Sequence, residues 1–485
     1  MSEFRRLHPV AALARAGEMI RGNLLTLLAI LIFGSRGEDG SFLWVFLGLL
    51  VSVLLVGLMS WWRFRFRIGR GEMEIHQGIW VRKELLLRRE RVQVIDLSYG
   101  PVQRLFGLVR VDVKTAGSTS REARLSAVTK EVADEIIQEL KTGRTSAREE
   151  LWQEKERVRR LPMRHLLLAA TTSSSFGIVL SLLATLLSQL DPFLQESEWA
   201  MQQFEQLPGT GRPLFWMGML MLFVLFAWCL SFAGTLVRYG NFTLTKQNEG
   251  LVIRHGLFEK KQITLPYHRI QAVRVVEGIL RQPFGYLSIE LDSAGYGEER
   301  EAASVVMMPL LPEKELEPLV GEFLPGFSEI PLEHRSPGRA LFRRIVRTAG
   351  GIGGGLALLQ WGFDLSPWIW ICWVPSLLWG WLVHKDAAVG CMGDRMALRT
   401  RRLARTTTWI HRDRIQQMSF HESVPQRWRW LTTISVSVAS GDRGRSVRVR
   451  DMDNALIPVL RSWFRRRIRE HRPSTVDYSS SSGSA

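Results

Sequence analysis

Long apolar runs alternate along the chain with polar stretches of roughly domain length. A membrane-spanning helix needs about 20 predominantly apolar residues, and six stretches are candidates. Residues 42–62 carry no charge, and 166–190 and 213–237 are uncharged across their cores. Residues 345–363 are interrupted by Arg347 near one end. Residues 367–383 are short and Trp-rich, with a kink expected at Pro375. Residues 23–33 are too short alone, and their extension back past Arg21 and Glu18 reads as an interfacial or snorkelling turn. The runs fall into three pairs, with connectors at 34–41, 191–212 and 361–366.

The polar stretches repeat one another. With Phe64 set on Phe242 and Arg91 on Arg414, residues 64–117 align three times without a gap. Arg91-Val92-Gln93 falls on Arg269-Ile270-Gln271 and on Arg414-Ile415-Gln416. Phe106-Gly107 falls on Phe284-Gly285, and Ala116-Gly117 on Ala294-Gly295. Val109, Val111 and Val113 alternate with polar residues, as do Leu287, Ile289 and Leu291, then Ile434, Val436 and Val438. Period two predicts half-buried antiparallel strands. After Arg91 the apolar positions run 92, 95, 97, and the copies repeat this at 270, 273, 275 and 415, 418, 420. A step of three within a strand predicts a bulge. Each copy closes on an amphipathic helix: Val132, Ile136, Ile137 and Leu140 after the N-cap candidate Thr129; Leu316, Leu319, Val320 and Phe323 after Pro312; Leu456, Leu460, Phe464 and Ile468 after Asp453.

Several strands closed by one helix is the layout of pleckstrin-homology-like domains. The Arg-(Val/Ile)-Gln strand, the Phe-Gly-(Leu/Tyr) turn, the Ala-Gly strand end and the placement after paired apolar runs together resemble the bacterial pleckstrin-homology-like membrane proteins. The third copy departs, with Arg401 for the turn glycine, Trp430 for Gly107 and Ser440 for Gly117. The resemblance implies a fold and a membrane setting, and no particular activity. The expected fold class is an α+β membrane protein of three tandem units. Each unit is a transmembrane helix pair followed by a cytoplasmic β-barrel or sandwich closed by a C-terminal helix. The expected boundaries are 1–62 (N-terminal segment and first helix pair), 63–142 (first domain), 143–165 (charged linker), 166–237, 238–325, 326–344 (linker), 345–386, 387–470 and a disordered tail at 471–485.

Composition sharpens the setting. The 18 Trp crowd the edges of the apolar runs, which suits a membrane interface. The connectors within pairs are neutral to acidic, whereas the outer flanks are basic: Arg5 and Arg6; Arg63, Arg65 and Arg67; Arg159, Arg160 and Arg164; Arg343 and Arg344. The positive-inside rule then places both termini and the polar domains in the cytoplasm of a bacterial plasma membrane. No cleavable signal peptide is visible. The formal net charge of +17 follows from this topology and from anionic inner-leaflet lipid, so a nucleic-acid partner is not expected. The 3 Cys form no CxxC, which leaves neither a disulfide framework nor a thiolate metal site.

No GxSxG, HExxH or paired metal-ligand histidine occurs, so no catalytic residue, metal or cofactor is expected. His411 and His421, on either side of the Arg414 strand, read as structural. The repeated polar pairs Arg91/Gln93, Arg269/Gln271 and Arg414/Gln416 are either a shared anion or partner site or fold determinants, and repetition within one chain favours the latter. Arg461, Arg465, Arg466, Arg467 and Arg469 make a basic helix that attracts anionic lipid by about 1 kcal/mol per charge, or a solvated face that merely obeys topology. Gly350, Gly351, Gly353, Gly354 and Gly355 suit close helix packing rather than a phosphate loop. The hydroxyls of 171–175 can bond their own helix carbonyls, and the nearly uncharged spans disfavour a transporter. The expected function is a non-enzymatic membrane scaffold that assembles laterally or docks a protein partner, with envelope protection as one setting. The alternative is anionic-lipid sensing or handling.

Overall fold

The computed structural model describes residues 4–22, 41–69, 71–78, 81–115, 123–140, 157–173, 175–196, 213–248, 250–293, 304–363, 370–371, 373–439 and 444–470. The chain divides into two compact units, one holding Met1–Arg269 and the other most of Ile270–Ala485.

Seven strands are laid down three times. The first copy has β1 (Arg5–Arg6), β2 (Arg65–Gly69), β3 (Glu72–Gln77), β4 (Lys83–Arg88), β5 (Val92–Tyr99), β6 (Val109–Thr115) and β7 (Ala123–Val128). The second has β8 (Arg157–Arg160), β9 (Thr243–Gln247), β10 (Gly250–His255), β11 (Lys260–Pro266), β12 (Ile270–Glu277), β13 (Tyr286–Ser293) and β14 (Ser304–Pro312). The third has β15 (His334–Arg335), β16 (Ala388–Met392), β17 (Arg395–Arg401), β18 (Arg405–His411), β19 (Ile415–His421), β20 (Leu431–Val438) and β21 (Arg445–Asp453). The alternating positions bury as the period requires: Phe66 and Ile68, Met73 and Ile75, Val109, Val111 and Val113 lie in the first core. A register shift falls between Val92 and Val94, between Ile270 and Ala272, and between Ile415 and Gln417. The bulge read from the step of three is therefore present in every copy.

The described helices of eight residues or more, in chain order, are α1 (Val10–Gly22), α2 (Ser41–Arg63), α3 (Lys130–Leu140), α4 (Met163–Thr171), α5 (Phe176–Glu196), α6 (Pro213–Tyr239), α7 (Leu316–Phe323), α8 (Leu341–Phe363), α9 (Val374–Asp386) and α10 (Leu456–Glu470). The closing helices are α3, α7 and α10. α3 buries Ala133, Ile136 and Leu140, and the Thr129 carbonyl accepts the Ala133 N–H at its start. α10 buries Leu456, Leu460 and Trp463.

The first strand of each copy was not foreseen. β1, β8 and β15 come from the segments ahead of the helix pairs, and each pairs antiparallel with the strand that follows its pair. The basic flanks at Arg5, Arg6, Arg159 and Arg160 are thus strand residues. In each copy the apolar helices are an insertion between two hydrogen-bonded neighbours.

Among the described residues, two helices are long and apolar enough to cross a membrane, at Phe46–Arg63 and Met217–Tyr239. Met163–Thr171 and Phe176–Thr185, bent by 47°, make a third if counted as one span. The six expected stretches differ from this for local reasons. At Thr171 and Thr172 both hydroxyls donate to the Leu168 carbonyl, and there the run 166–190 breaks into α4 and α5. α9, at 13 residues, is short for a bilayer core of about 30 Å. Pro375 occupies the first turn of α9, where no N–H is needed, and so starts the helix rather than kinking it. α8 carries Arg343, Arg344 and Arg347 in its first two turns. Residues 23–33 lie outside the described part. The segment before them is helix α1, which buries Val10 and Ala11 in the first core and whose Arg15 donates to Ser60 and Ser126; the side chains of Glu18 and Arg21 lie outside the described part.

The strands sort into four sheets, in the orders β1-β2-β3-β4, β7-β6-β5-β11-β10-β9-β8, β14-β13-β12-β18-β17-β16-β15 and β19-β20-β21. The last three strands of one copy thus continue edge to edge into the first four of the next. β5 joins β11 and β12 joins β18, both antiparallel.

Candidate functional site

The Arg-x-Gln motif sits at one backbone feature in every copy. Arg91, Arg269 and Arg414 each end a short 3-10 turn, at Arg89–Arg91, Tyr267–Arg269 and Arg412–Arg414. Gln93, Gln271 and Gln416 are the extra residues of the bulges that follow. The glutamine surroundings differ: Gln271 is buried, whereas Gln416 is exposed on β19. Arg269 Nε lies 3.1 Å from His268 Nε2, and desolvation lowers the Arg269 pKa from its ordinary value. A motif fixed to a turn and a bulge, with unlike glutamine surroundings, has the character of a fold determinant.

The turns show how copy three manages its departures. Gly107 and Gly285 have φ of 66° and 65°, and Trp430 takes the same left-handed conformation at 52°. Its carbonyl is held by Asn454 N–H and by Arg339. Arg401, in place of the earlier turn glycine, stays in β17, where its buried guanidinium bonds Asp386 and Gln282.

A basic cleft of about 550 Å³ lies at the first join between copies. Arg104, Lys130, Arg254, Lys260 and Lys261 line it with His255, Tyr99 and Asn241, and no carboxylate is among the described residues that line it. β5 and β11 form one wall, where Tyr99 opposes Lys260. Asn241 and Thr243, just after helix α6, line it too, and His255 and Gly256 are bonded to that helix end: His255 Nδ1 is 2.8 Å from the Arg238 carbonyl, and Gly256 N–H donates to Gly240. Burial pushes the His255 pKa below its ordinary 6.5, which the Arg238 contact only partly offsets, so the imidazole is neutral near neutral pH. Concentrated cationic donors at a membrane-proximal helix end can hold phosphate or carboxylate. The motif reading missed this cleft because it forms only where β5 of one copy meets β11 of the next, a pairing that the repeat alignment does not show; the adjacent lysines 260 and 261 on a strand were the available signal.

The other expected sites do not converge on it. In α10, Arg461 and Arg465 are exposed, one turn apart, on the side away from buried Leu460 and Trp463; the side chains of Arg466, Arg467 and Arg469 lie outside the described part. His411 packs edge-on against Phe327 at 4.6 Å, while His421 bonds Ser419. Of the glycine patch, only Gly353 makes a close approach among the described residues, to Trp373. Among the described residues no group of three His, Cys, Asp or Glu could hold a metal ion.

The third copy is fastened to its helix pair by a buried charge cluster. Asp451 has no exposed surface, lies 3.0 Å from Arg343 Nε in an ion pair, and accepts from Arg347 at 3.1 Å and Gln426 at 2.9 Å. Arg344 lies 3.5 Å from it and donates to Val383 and Arg450 carbonyls. Arg347, the charge that seemed to interrupt a span, is a domain anchor.

Threefold repetition of one seven-strand unit around inserted apolar helices defines a class. The sequence profile described as "Bacterial PH domain" matches residues 21–144, 192–322 and 344–468, and the chain belongs to that family. It is similar to the "UPF0699 transmembrane protein YdbT" of Bacillus subtilis (strain 168), at 32% identity over 490 residues, covering 96% of this chain and 98% of the relative.

Proposed function

We propose that this chain is a non-enzymatic, polytopic inner-membrane scaffold that presents its three PH-like domains in the cytoplasm for lateral assembly or partner docking. The observation that carries the reading is the edge-to-edge joining of successive copies, β5 to β11 and β12 to β18. Joined sheets favour presentation of the domains as a connected array over independent modules on tethers. Strand pairing also supports the topology. β1 and β2, β8 and β9, and β15 and β16 are hydrogen-bonded neighbours. Neighbours lie on one side of a bilayer, so each intervening insertion crosses an even number of times. Reporter fusions at the C-terminus and after residue 142 should both read as cytoplasmic; a periplasmic C-terminus overturns the topology.

Purification of the full chain from its native membrane in mild detergent tests the role. A near-stoichiometric protein, or a second tagged copy, is the expected companion. Recovery of lipid alone overturns the scaffold in favour of a second reading, recognition of anionic lipid, which the cleft at Arg104, Lys130, Arg254, Lys260 and Lys261 favours. Under that reading, binding to vesicles rises with anionic lipid and falls with salt.

A further inference from the structure

Of the strands that end the four sheets, β4 and β19 stand apart, because their counterparts in the other copies are paired on both edges. β4 pairs only with β3, and β19 only with β20. They are the repeat counterparts of the strands that make the two joins. β4 corresponds to β11 and β18, and β19 corresponds to β5 and β12.

The two joins share one register. In the first, Leu97 opposes Gln262, Ser98 opposes Lys261 and Tyr99 opposes Lys260. In the second, Val275 opposes Thr407, Val276 opposes Thr406 and Glu277 opposes Arg405. Under the repeat alignment these are the same three pairs. The same register applied to the free edges sets Phe420 against Glu84, His421 against Lys83 and Glu422 against Arg82. It also sets Met418 against Leu86, in the place of Val273 against Trp409.

The side chains on the free edges suit that register. Arg405 is bidentate on Glu277, with Nε 2.9 Å from Oε1, and Glu422 and Arg82 restore the same charge pair at the same position. Among the described residues of its own domain, Glu422 pairs with Arg427 at 4.0 Å, and that arginine is largely exposed. Val273 and Trp409 are buried in their join, at 0% and 2% exposure, whereas Leu86 is 55% exposed. Arg82, Lys83 and Glu84 are exposed as well. Open strand edges are templates for pairing, and this chain already uses the template twice.

We infer that β19 of one molecule pairs antiparallel with β4 of a second copy of this chain, continuing the joined sheets from molecule to molecule. The interface is head-to-tail, so it propagates along the membrane as an open row or a closed ring. The inference rests on the scaffold reading and names the surface that assembly uses.

The test uses the full chain in its native membrane, with two differently tagged copies expressed together. Arg82→Cys in one and Glu422→Cys in the other are treated with a short bismaleimide. Directly opposed residues have Cβ atoms about 4.5–5.5 Å apart, within its reach. Burial pushes the Cys391 thiol up to about 12, which keeps it protonated and slow to compete. A product carrying both tags is expected, and pairs of like variants give none. In the doubly substituted chain, an internal link without products larger than a monomer overturns the second copy as the occupant. No link in the mixed pair overturns the register. Arg82→Glu should lower recovery of one tag with the other by roughly tenfold, and adding Glu422→Arg should restore it. Unchanged recovery with Arg82→Glu overturns this surface while leaving assembly standing. Two tags that never co-purify in the unsubstituted chain, with no other protein present, overturn the scaffold itself.

Discussion

Single residues carry the strain and the buried charge of this molecule. Asp451 combines a φ of 55° with complete burial among three arginines. Asparagine tolerates that backbone about as well as aspartate, so Asp451→Asn removes the charge without adding strain. Arg344, its side chain 2% exposed, then loses its counter-ion. The expected cost is about 3 kcal/mol, read as a fall in the melting temperature of the third domain, because one partner of a buried pair has been removed. His255 predicts a pH effect. Its folded pKa lies below the ordinary value, so in that interval the unfolded chain binds more protons than the folded one. The contribution of this group is complete above about pH 6.5 and is lost as the pH falls through that value. Melting compared at about pH 7.5 and about pH 5.5 should show a smaller acid loss in His255→Gln than in the natural chain. A sequence marks neither residue. Asp451 stands in an ordinary alternating strand, and its three arginines follow a linker more than a hundred positions upstream.

At the scale of elements, periodicity told most and partnership least. The bulge was legible because three copies share an apolar step of three. The closing helices were legible because burying one face needs i, i+3, i+4 spacing, as Ile136 and Leu140 do. The glycine patch was legible only in part, since the phase of the facing helix decides which glycine is used. A Cβ on Gly353 would meet Trp373 at 2.9 Å, while Gly350, Gly351, Gly354 and Gly355 face open space. The tighter contact comes from Gly380 of α9, where a Cβ would lie 2.6 Å from Thr348 Oγ1 and 2.8 Å from Ile345 Cα. Gly380→Ala should therefore push α8 and α9 apart and lower stability by about 1–3 kcal/mol. Gly354→Ala should raise it by about 0.5–1 kcal/mol through helix propensity. Thermal unfolding of the two variants in one detergent reads the opposite signs; two losses of equal size would place Gly354 against a neighbour after all.

For the whole molecule, the repeat was legible but its linkage was not. Alternation assigns each strand a face, and says nothing of which strand occupies its edge. Hence three separate domains were the expectation, while the sheets run on from copy to copy. The charges at the joins held the missing signal: Glu277 opposes Arg405 only once the register is known. That pair also separates the two joins energetically. Arg405 serves both Glu277, whose side chain is 9% exposed, and Asp386 at 3.9 Å, whereas at the first join Lys260 opposes the uncharged Tyr99. Arg405→Ala takes the bidentate counter-ion from the largely buried Glu277, while Asp386 keeps Arg401. It should cost about 2–3 kcal/mol in the second unit, in line with truncating one partner of a buried ion pair. Lys260→Ala, which breaks no such pair, should cost under about 0.5 kcal/mol. Limited proteolysis at residues 326–333, which lead into β15 of the joined third copy, reports the difference. Arg405→Ala should be cut faster than the natural chain and Lys260→Ala at the same rate. Equal rates for all three would mean that backbone pairing alone holds the second join.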